Sequence, residues 1–277
     1  MKRSFLFDQG SIHDQEDGLI NTPGFIGVLD GVSKPYSPLI PPLNICSISS
    51  GAWVTRTIES FFFNQSLINH ERGLMETVAS ANLCIDNGLK DQGYNLPKEL
   101  RPGATLAIAG LGEKNVEIAQ IGDSFAIIVL TCGDIVISPY SMRAFEKRDR
   151  EIYQKILRKV ALNLFGCEPY SVSRENLGTL RKEFWKNYLE LWVELRKSAI
   201  NNPGSPIGYG LLNGEPEAMS MVWNGKFPNY SIKTILCLTD GMVPQSLLGD
   251  KSDDKIANGL IEIYQRGGLW AILEKAR

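Results

Sequence analysis

Two Asp-Gly pairs, Asp30-Gly31 and Asp240-Gly241, and the segment Gln15-Glu16-Asp17 hold the residues of this chain best suited to chemistry. Each Asp-Gly pair closes an apolar run, Gly24-Phe25-Ile26-Gly27-Val28-Leu29 in one case and Thr234-Ile235-Leu236-Cys237-Leu238 in the other. A carboxylate just past a buried strand is held at the sheet rim on a stiff support. The glycine after it lets the chain turn sharply and leaves a backbone carbonyl accessible. Carboxylate and carbonyl oxygens are the hard ligands that Mg²⁺ and Mn²⁺ prefer. Each segment alone is also an ordinary turn or solvated loop. Together they read as parts of one metal site assembled from distant stretches of sequence.

The elements that must position these residues follow from periodicity. Residues 1–31 read as β structure interrupted by a polar loop, and Pro35, Pro38, Pro41 and Pro42 make an extended, irregular stretch. Ile48, Ala52, Thr55 and Ile58 recur at helical spacing within 44–65, as do Leu74, Val78, Ala81 and Ile85 within 71–90. Ala104–Leu111 is a short apolar run. Val116–Ile121 and Phe125–Leu130 flank Gly122-Asp123-Ser124, a hairpin turn. Residues 143–200 are rich in Lys, Arg and Glu and carry helices, one of them Glu183–Lys197 with Trp185, Leu189 and Trp192 facing inward. Residues 201–214 read as loop, Ala218–Trp223 and Ile232–Leu238 as strands. Helices follow from Asp253 to about Gln265 and over Leu269–Arg277. The order β, α-α, β, helical insertion, β, α favours antiparallel sheets covered by helices over a doubly wound parallel sheet.

Bulk properties narrow the classes. The 277 residues are 43% hydrophobic, which supports a substantial core and argues against disorder. The net charge of -2, with basic and acidic residues interspersed, gives no global sign of nucleic-acid binding. Five scattered cysteines without Cys-x-x-Cys spacing argue against zinc and for small buried hydrophobes in a reducing compartment. No apolar stretch approaches a signal core or a membrane span, so no membrane association is expected and cytoplasmic localisation is the default.

The ordered set Gln15-Glu16-Asp17, Asp30-Gly31, Gly103-Ala104-Thr105, Gly122-Asp123-Ser124 and Asp240-Gly241 resembles the metal-dependent type 2C serine/threonine protein phosphatases, most closely the bacterial members. The matches span most of the chain. The resemblance implies an α+β fold, a four-layer αββα sandwich of two antiparallel sheets flanked by helices. It implies a single catalytic domain over 1–277 with a helical, flap-like insertion at about 141–210 that shapes substrate choice. It further implies a centre of two Mn²⁺ or Mg²⁺ ions, with a third in some members. On that pattern Asp30 bridges both metals and the carbonyl of Gly31 binds one. Asp240 binds the other, Glu16 lies near the metal bound by Gly31, Asp17 orients water around the metals, and Asp123 falls at the additional metal. A hydroxide between the two metals attacks the phosphorus of a phosphoserine or phosphothreonine in a protein substrate, while the metals offset charge on the phosphoryl oxygens. His13 or His70 could protonate the leaving alkoxide, and so could a metal-bound water.

Two departures bear on activity. Four positions before Glu16 the family carries a phosphate-gripping arginine; here Ile12 stands there, so His13, Lys34 or another cation must substitute or phosphate binding is weaker. The family also ends with a metal-binding Asp and a strand that closes a sheet. Of the last acids, Asp250, Asp253, Asp254, Glu262 and Glu274, none follows a Gly-rich turn and precedes a strand, so both features are expected to be missing. Two further functions therefore stay open: a catalytically weak or silent regulatory module that binds metal or a phosphorylated partner, and hydrolysis of a small phosphorylated metabolite.

Overall fold

The computed structural model describes residues 3–6, 15–33, 42–68, 73–247 and 252–277. His13, Ile12, Lys34, His70, Asp250 and the prolines at 35, 38 and 41 lie outside the described residues.

The chain alternates short apolar runs with turns, and the runs become antiparallel strands. Strands β1 (Gly18–Asn21) and β2 (Phe25–Val32) form a hairpin, and β3 (Asn44–Ile45) and β4 (Ile48–Ser49) form a small two-stranded ribbon. Helices α1 (Ser50–Ile68) and α2 (Leu74–Asp91) follow, then the meander β5 (Gly103–Leu111), β6 (Asn115–Ile121), β7 (Phe125–Leu130) and β8 (Ile135–Ile137). Helices α3 (Arg143–Phe165) and α4 (Leu177–Ala199) lie between β8 and β9. Strands β9 (Trp223–Pro228) and β10 (Ile232–Leu238) and α5 (Asp253–Ala276), two helical segments broken by non-helical backbone at Gly267 and Gly268, complete the order. One sheet runs β1-β2-β5-β6-β9 and the other β10-β7-β8, every neighbouring pair antiparallel.

The two sheets face each other. Period-2 alternation sends Ala107, Ala109, Val116 and Ile118 of the larger sheet toward Ala126 and Ile128 of the smaller one, with Ile235 and Cys237 alongside. The opposite face of the larger sheet, with Leu29, Leu106, Ile108 and Ile121, is covered by α1 and α2 through Val54, Ile58, Phe62, Val78, Ala81 and Ile85. Those helical residues recur three or four positions apart, which makes one apolar stripe per helix. Helix α5 covers the smaller sheet, where Ile256, Leu260, Ile261 and Ile272 meet Phe125, Ile127 and Leu236. The result is a four-layer α+β sandwich.

The α3–α4 pair stands apart from these layers. Tyr153 of α3 packs on Phe184 of α4 with ring centroids 4.6 Å apart, and the Tyr188 hydroxyl donates to Asp149. At its base Phe145, Ala199, Ile200, Tyr209 and Leu211 pack together with Val32, the last residue of β2. The α3–α4 pair is thereby seated beside the strand that carries Asp30.

Three details depart from the sequence pattern. Residues 44–49 form the β3–β4 ribbon, so α1 begins at Ser50 rather than Asn44. Pro216 starts a 3-10 turn over Pro216–Met221, so the strand expected at 218–223 begins only at Trp223 and pairs with β6; proline fixes φ and lacks the donor a ladder needs. Along α4 the fully buried stripe is Leu180, Phe184 and Tyr188, while Trp185 and Trp192 are half-buried. Among the described residues no helix is long and apolar enough to cross a membrane, and all five cysteines are free.

Phe62 is fully buried and meets the ring of Phe25 edge-on at 5.0 Å. Phe62→Ala should cost about 3–5 kcal/mol of stability, read as a lower urea midpoint; a change within about 1 kcal/mol would show that α1 does not anchor the larger sheet.

Candidate functional site

Strand register brings the acidic residues to one rim of the sandwich. Asp30 lies opposite Thr105 across β2–β5, and Leu106 lies opposite Ile121 across β5–β6. The next residues after Ile121 are Gly122 and Asp123, which turn the chain into β7. Leu238 lies opposite Phe125 across β10–β7, so Asp240, just past β10, reaches the same rim. Gly122 needs its hydrogen side chain: φ is +84°, and a Cβ would sit 2.4 Å from Thr105 Cγ2. Its carbonyl accepts from Gln120 Nε2 at 2.8 Å and from Ser141 Oγ at 2.9 Å. These bonds fix the turn that presents Asp123.

The Glu16-Asp17 segment reaches the rim by a different route. Gly31 N donates to the Glu16 carbonyl at 3.2 Å, and the Ser33 hydroxyl donates to the Glu16 carboxylate. Gly51 N, in the first turn of α1, donates to Ser33 Oγ at 3.2 Å. A Cβ on Gly51 would come within 2.7 Å of Glu16 Oε2, and one on Gly31 within 2.6 Å of the Glu16 carbonyl. Only glycine at both positions lets the N-terminus of α1 approach the carboxylate this closely. The positive end of the helix dipole favours a negative charge there.

The result is a crowd of carboxylates with mutual repulsion. Burial pushes the Asp30 carboxyl up to about 9, and the charges of Asp123, Asp240, Asp17 and Glu16 add to the effect. Burial, then the Asp240 charge, raises Asp17 as well, while a hydrogen bond to Asp30 partly offsets the rise. Asp123 is raised by burial and by Asp240, and Asp240 by burial. Asp17 and Asp240 both stand within hydrogen-bond reach of Asp30. Protonated, Asp30 can donate to one of them at a time. The Thr105 hydroxyl lies near Asp123 and partly offsets its rise, and it shares a 2.7 Å hydrogen bond with Ser124. Asp123 Oδ1 is nevertheless buried without a partner.

Among the described residues no group of three or more His, Cys, Asp or Glu side chains closes around one point as a finished cation site. The donor chemistry does fit a hard divalent cation. Asp30 sits amid like charges, and Asp123 Oδ1 lacks any donor. A bound cation would neutralise the charge crowded at this rim.

Asp17, Asp30, Asp123 and Asp240 are thus within electrostatic reach of one another, with Glu16 and Gly31 beside them. His13 lies outside the described residues. Four participants escaped the sequence reading. Thr105 has no assigned chemistry in the sequence, yet it stands opposite Asp30 and beside Asp123. Ser33 steers Glu16. Tyr140 and Glu146 flank the start of α3: the Tyr140 hydroxyl donates to Glu146, and the Glu146 charge is felt at Asp123. Tyr140 also lies against Phe125, at 5.3 Å between ring centroids. Only the Gly-Ala-Thr motif carried any signal for these; the rest depends on the path of the insertion.

No family model and no curated protein matches the chain. Its backbone is similar to the catalytic domain of the serine/threonine protein phosphatase PstP in complex with two manganese ions, with a TM-score of 0.47 and 13% identity over 95% of this chain and 90% of that one. It is also similar to the serine/threonine phosphatase Stp1 from Staphylococcus aureus, with a TM-score of 0.44 and 12% identity over 94% of this chain and 87% of that one. Values this low leave the chemistry to be argued from this chain's own residues.

The raised carboxyls fix a pH dependence. A carboxyl whose folded pKa lies above its unfolded value binds more protons when folded, so its contribution is fully present below the unfolded pKa and is lost as pH rises through the folded one. For Asp30 that window runs from 3.8 to about 9. In chelator, melting temperature should therefore fall between pH 5 and pH 9, and Asp30→Asn should flatten the slope and raise the melting temperature at pH 8. An unchanged slope in the variant would show that Asp30 is not the centre of the repulsion. Gly51→Ala should displace Glu16 and weaken the stabilisation by Mn²⁺ in thermal-shift titrations; equal Mn²⁺ response in both proteins would contradict the close approach.

Proposed function

We propose that this chain is a metal-dependent phosphatase of the type 2C class, acting on phosphoserine or phosphothreonine in proteins. The observation that supports the reading best is the meeting of four carboxylates from four separate segments at one rim, with Asp30 raised to about 9 at their centre. A site that compresses so much negative charge is organised for cations.

In this reading Asp30 and Asp240 are the principal carboxylates toward two Mn²⁺ or Mg²⁺ ions, with Glu16 and the Gly31 carbonyl on the α1 side and Asp123 toward a further ion. Such ions, when bound, lower the pKa of water and offset the charge of phosphoryl oxygens. The chain's own contributions are positional. Thr105 lies beside Asp123, Ser33 holds Glu16, and Asp17 accepts a hydrogen bond from Asp30. The insertion brings Tyr140, kept protonated by burial and by the Glu146 carboxylate. It stands as a neutral phenol beside a strongly charged site.

The test is hydrolysis of an aryl phosphate and of a phosphothreonine peptide with Mn²⁺, with Asp30→Asn alongside. Wild type should turn over both, chelator should abolish turnover, and Asp30→Asn should lose at least about a hundredfold, the scale of removing one electrostatic stabiliser. Activity surviving in Asp30→Asn or in chelator would sink the proposal. Tight Mn²⁺ binding with no turnover of either substrate would replace it with a silent binding module.

A further inference from the structure

The charge of this chain is unevenly placed. Residues 143–199 contain 13 basic and 8 acidic side chains, a net +5, while the other residues contain 16 basic and 23 acidic ones, a net -7. The excess is not spread evenly over α3 and α4. One face of α3 carries Glu151, Gln154, Lys155, Arg158, Lys159, Leu162 and Asn163. All of these are exposed.

The same face already shows how it treats a carboxylate. Glu168, from the turn after α3, sits on Arg158, with Nε at 2.9 Å and NH2 at 2.7 Å from the same Glu168 oxygen. Glu151, at the near end, is engaged by Arg148 at 3.2 Å. Lys155 and Lys159, between and beside them, have no acidic partner among the described residues. Leu162, 43% exposed, adds an apolar spot at the far end. The pattern is two unmatched ammonium groups one helical turn apart, a guanidinium that accepts a carboxylate, and a leucine.

We infer that this face of α3 is a docking surface for an acidic protein segment carrying an apolar residue. Resting on the phosphatase reading above, that segment belongs to the phosphoprotein substrate. A segment with carboxylates spaced to meet Lys155 and Lys159 gains charge-assisted contacts and faster encounter. A nucleic-acid backbone fits less well, because Glu151 lies within the surface and the free cations are few beside the 6–10 phosphate contacts typical of such binding, about one per phosphate. The distance suits docking away from the chemistry. At about 1.5 Å per residue the face begins about 12 Å along α3 from Arg143 and ends about 30 Å from it. One extended segment can therefore hold the surface while a phosphorylated residue some way along the same chain reaches the acidic rim.

The experiment measures binding of a fluorescein-labelled peptide, rich in Glu with one Leu and without phosphate, to the full chain by anisotropy. Three proteins are compared: wild type, Lys155→Glu/Lys159→Glu, and Lys255→Glu/Lys275→Glu, a charge-matched control with both changes on α5. Wild type and control should bind alike, and the α3 variant should bind at least about tenfold more weakly, with affinity falling as salt rises. With a phosphopeptide that includes the acidic segment, the α3 variant should show a raised KM with kcat unchanged, and aryl phosphate turnover should match wild type. No peptide binding, equal weakening in both variants, or tighter binding of duplex RNA or anionic vesicles than of the peptide would overturn the inference. Peptide binding that follows the α3 variant while no protein hydrolyses any phosphate would leave the docking surface standing and remove the phosphatase reading.

Discussion

Buried negative charge at one rim is the constraint that the rest of the structure serves. Asp17, Asp30, Asp123 and Asp240 are held near one another in a poorly solvated place, and each carboxyl is raised above its ordinary range. Such an arrangement costs stability at neutral pH unless protons or cations neutralise it. The sandwich makes it tolerable by fixing each acid to a rigid element. Asp30 is part of β2, Asp123 sits in a turn pinned by Gln120, Ser141 and Thr105, and Asp240 follows directly on β10. The layers packed behind these strands resist the relaxation that would otherwise let the carboxylates drift apart.

The glycines fit the same logic. Gly31 and Gly51 allow the first turn of α1 and the Glu16 segment to pass within contact distance, and Gly122 takes up the left-handed conformation that turns Asp123 to the rim. Each occurs where a side chain would collide with the machinery of the site. The α3–α4 pair is joined to the site at the start of α3, where Phe145 packs toward Val32 and Tyr140 against Phe125. Arg143 and the Tyr140 amide both bond to Asp253, at the start of α5. The base of α3 therefore touches the hairpin of the site and the helix behind the smaller sheet. The outer part of α3 is free to differ in charge without disturbing either.

Much of this was legible in the sequence because strands and helices announce their periods. The runs at 104–111, 116–121, 125–130 and 232–238 lie on strands, and Leu74, Val78, Ala81 and Ile85 form the buried stripe of α2. The acids at the ends of those runs were legible for the same reason, as a polar residue that closes an apolar run must lie at a rim. What stayed hidden depends on long-range contact. Thr105 looks like any strand threonine until register sets it opposite Asp30. Glu146 looks like one of many surface acids in a charged helix until Tyr140 draws it toward Asp123. The 3-10 turn at Pro216–Met221 hid behind strand-like residues because one proline outweighed the apolar pattern. On α4 the large aromatics drew attention to Trp185 and Trp192, whereas the pairing with Tyr153 chose Phe184 and Tyr188 for the interior.

Cation binding at this rim through Asp30 can be seen in crystals equilibrated with Mn²⁺ and measured at the manganese absorption edge. Anomalous peaks are expected within coordination distance of the Asp30 carboxylate, one toward Asp240 and one toward Glu16 and the Gly31 carbonyl, all lost in Asp30→Asn crystals. Wild-type crystals in saturating Mn²⁺ with no peak at Asp30, or with manganese only at exposed surface acids, would contradict it.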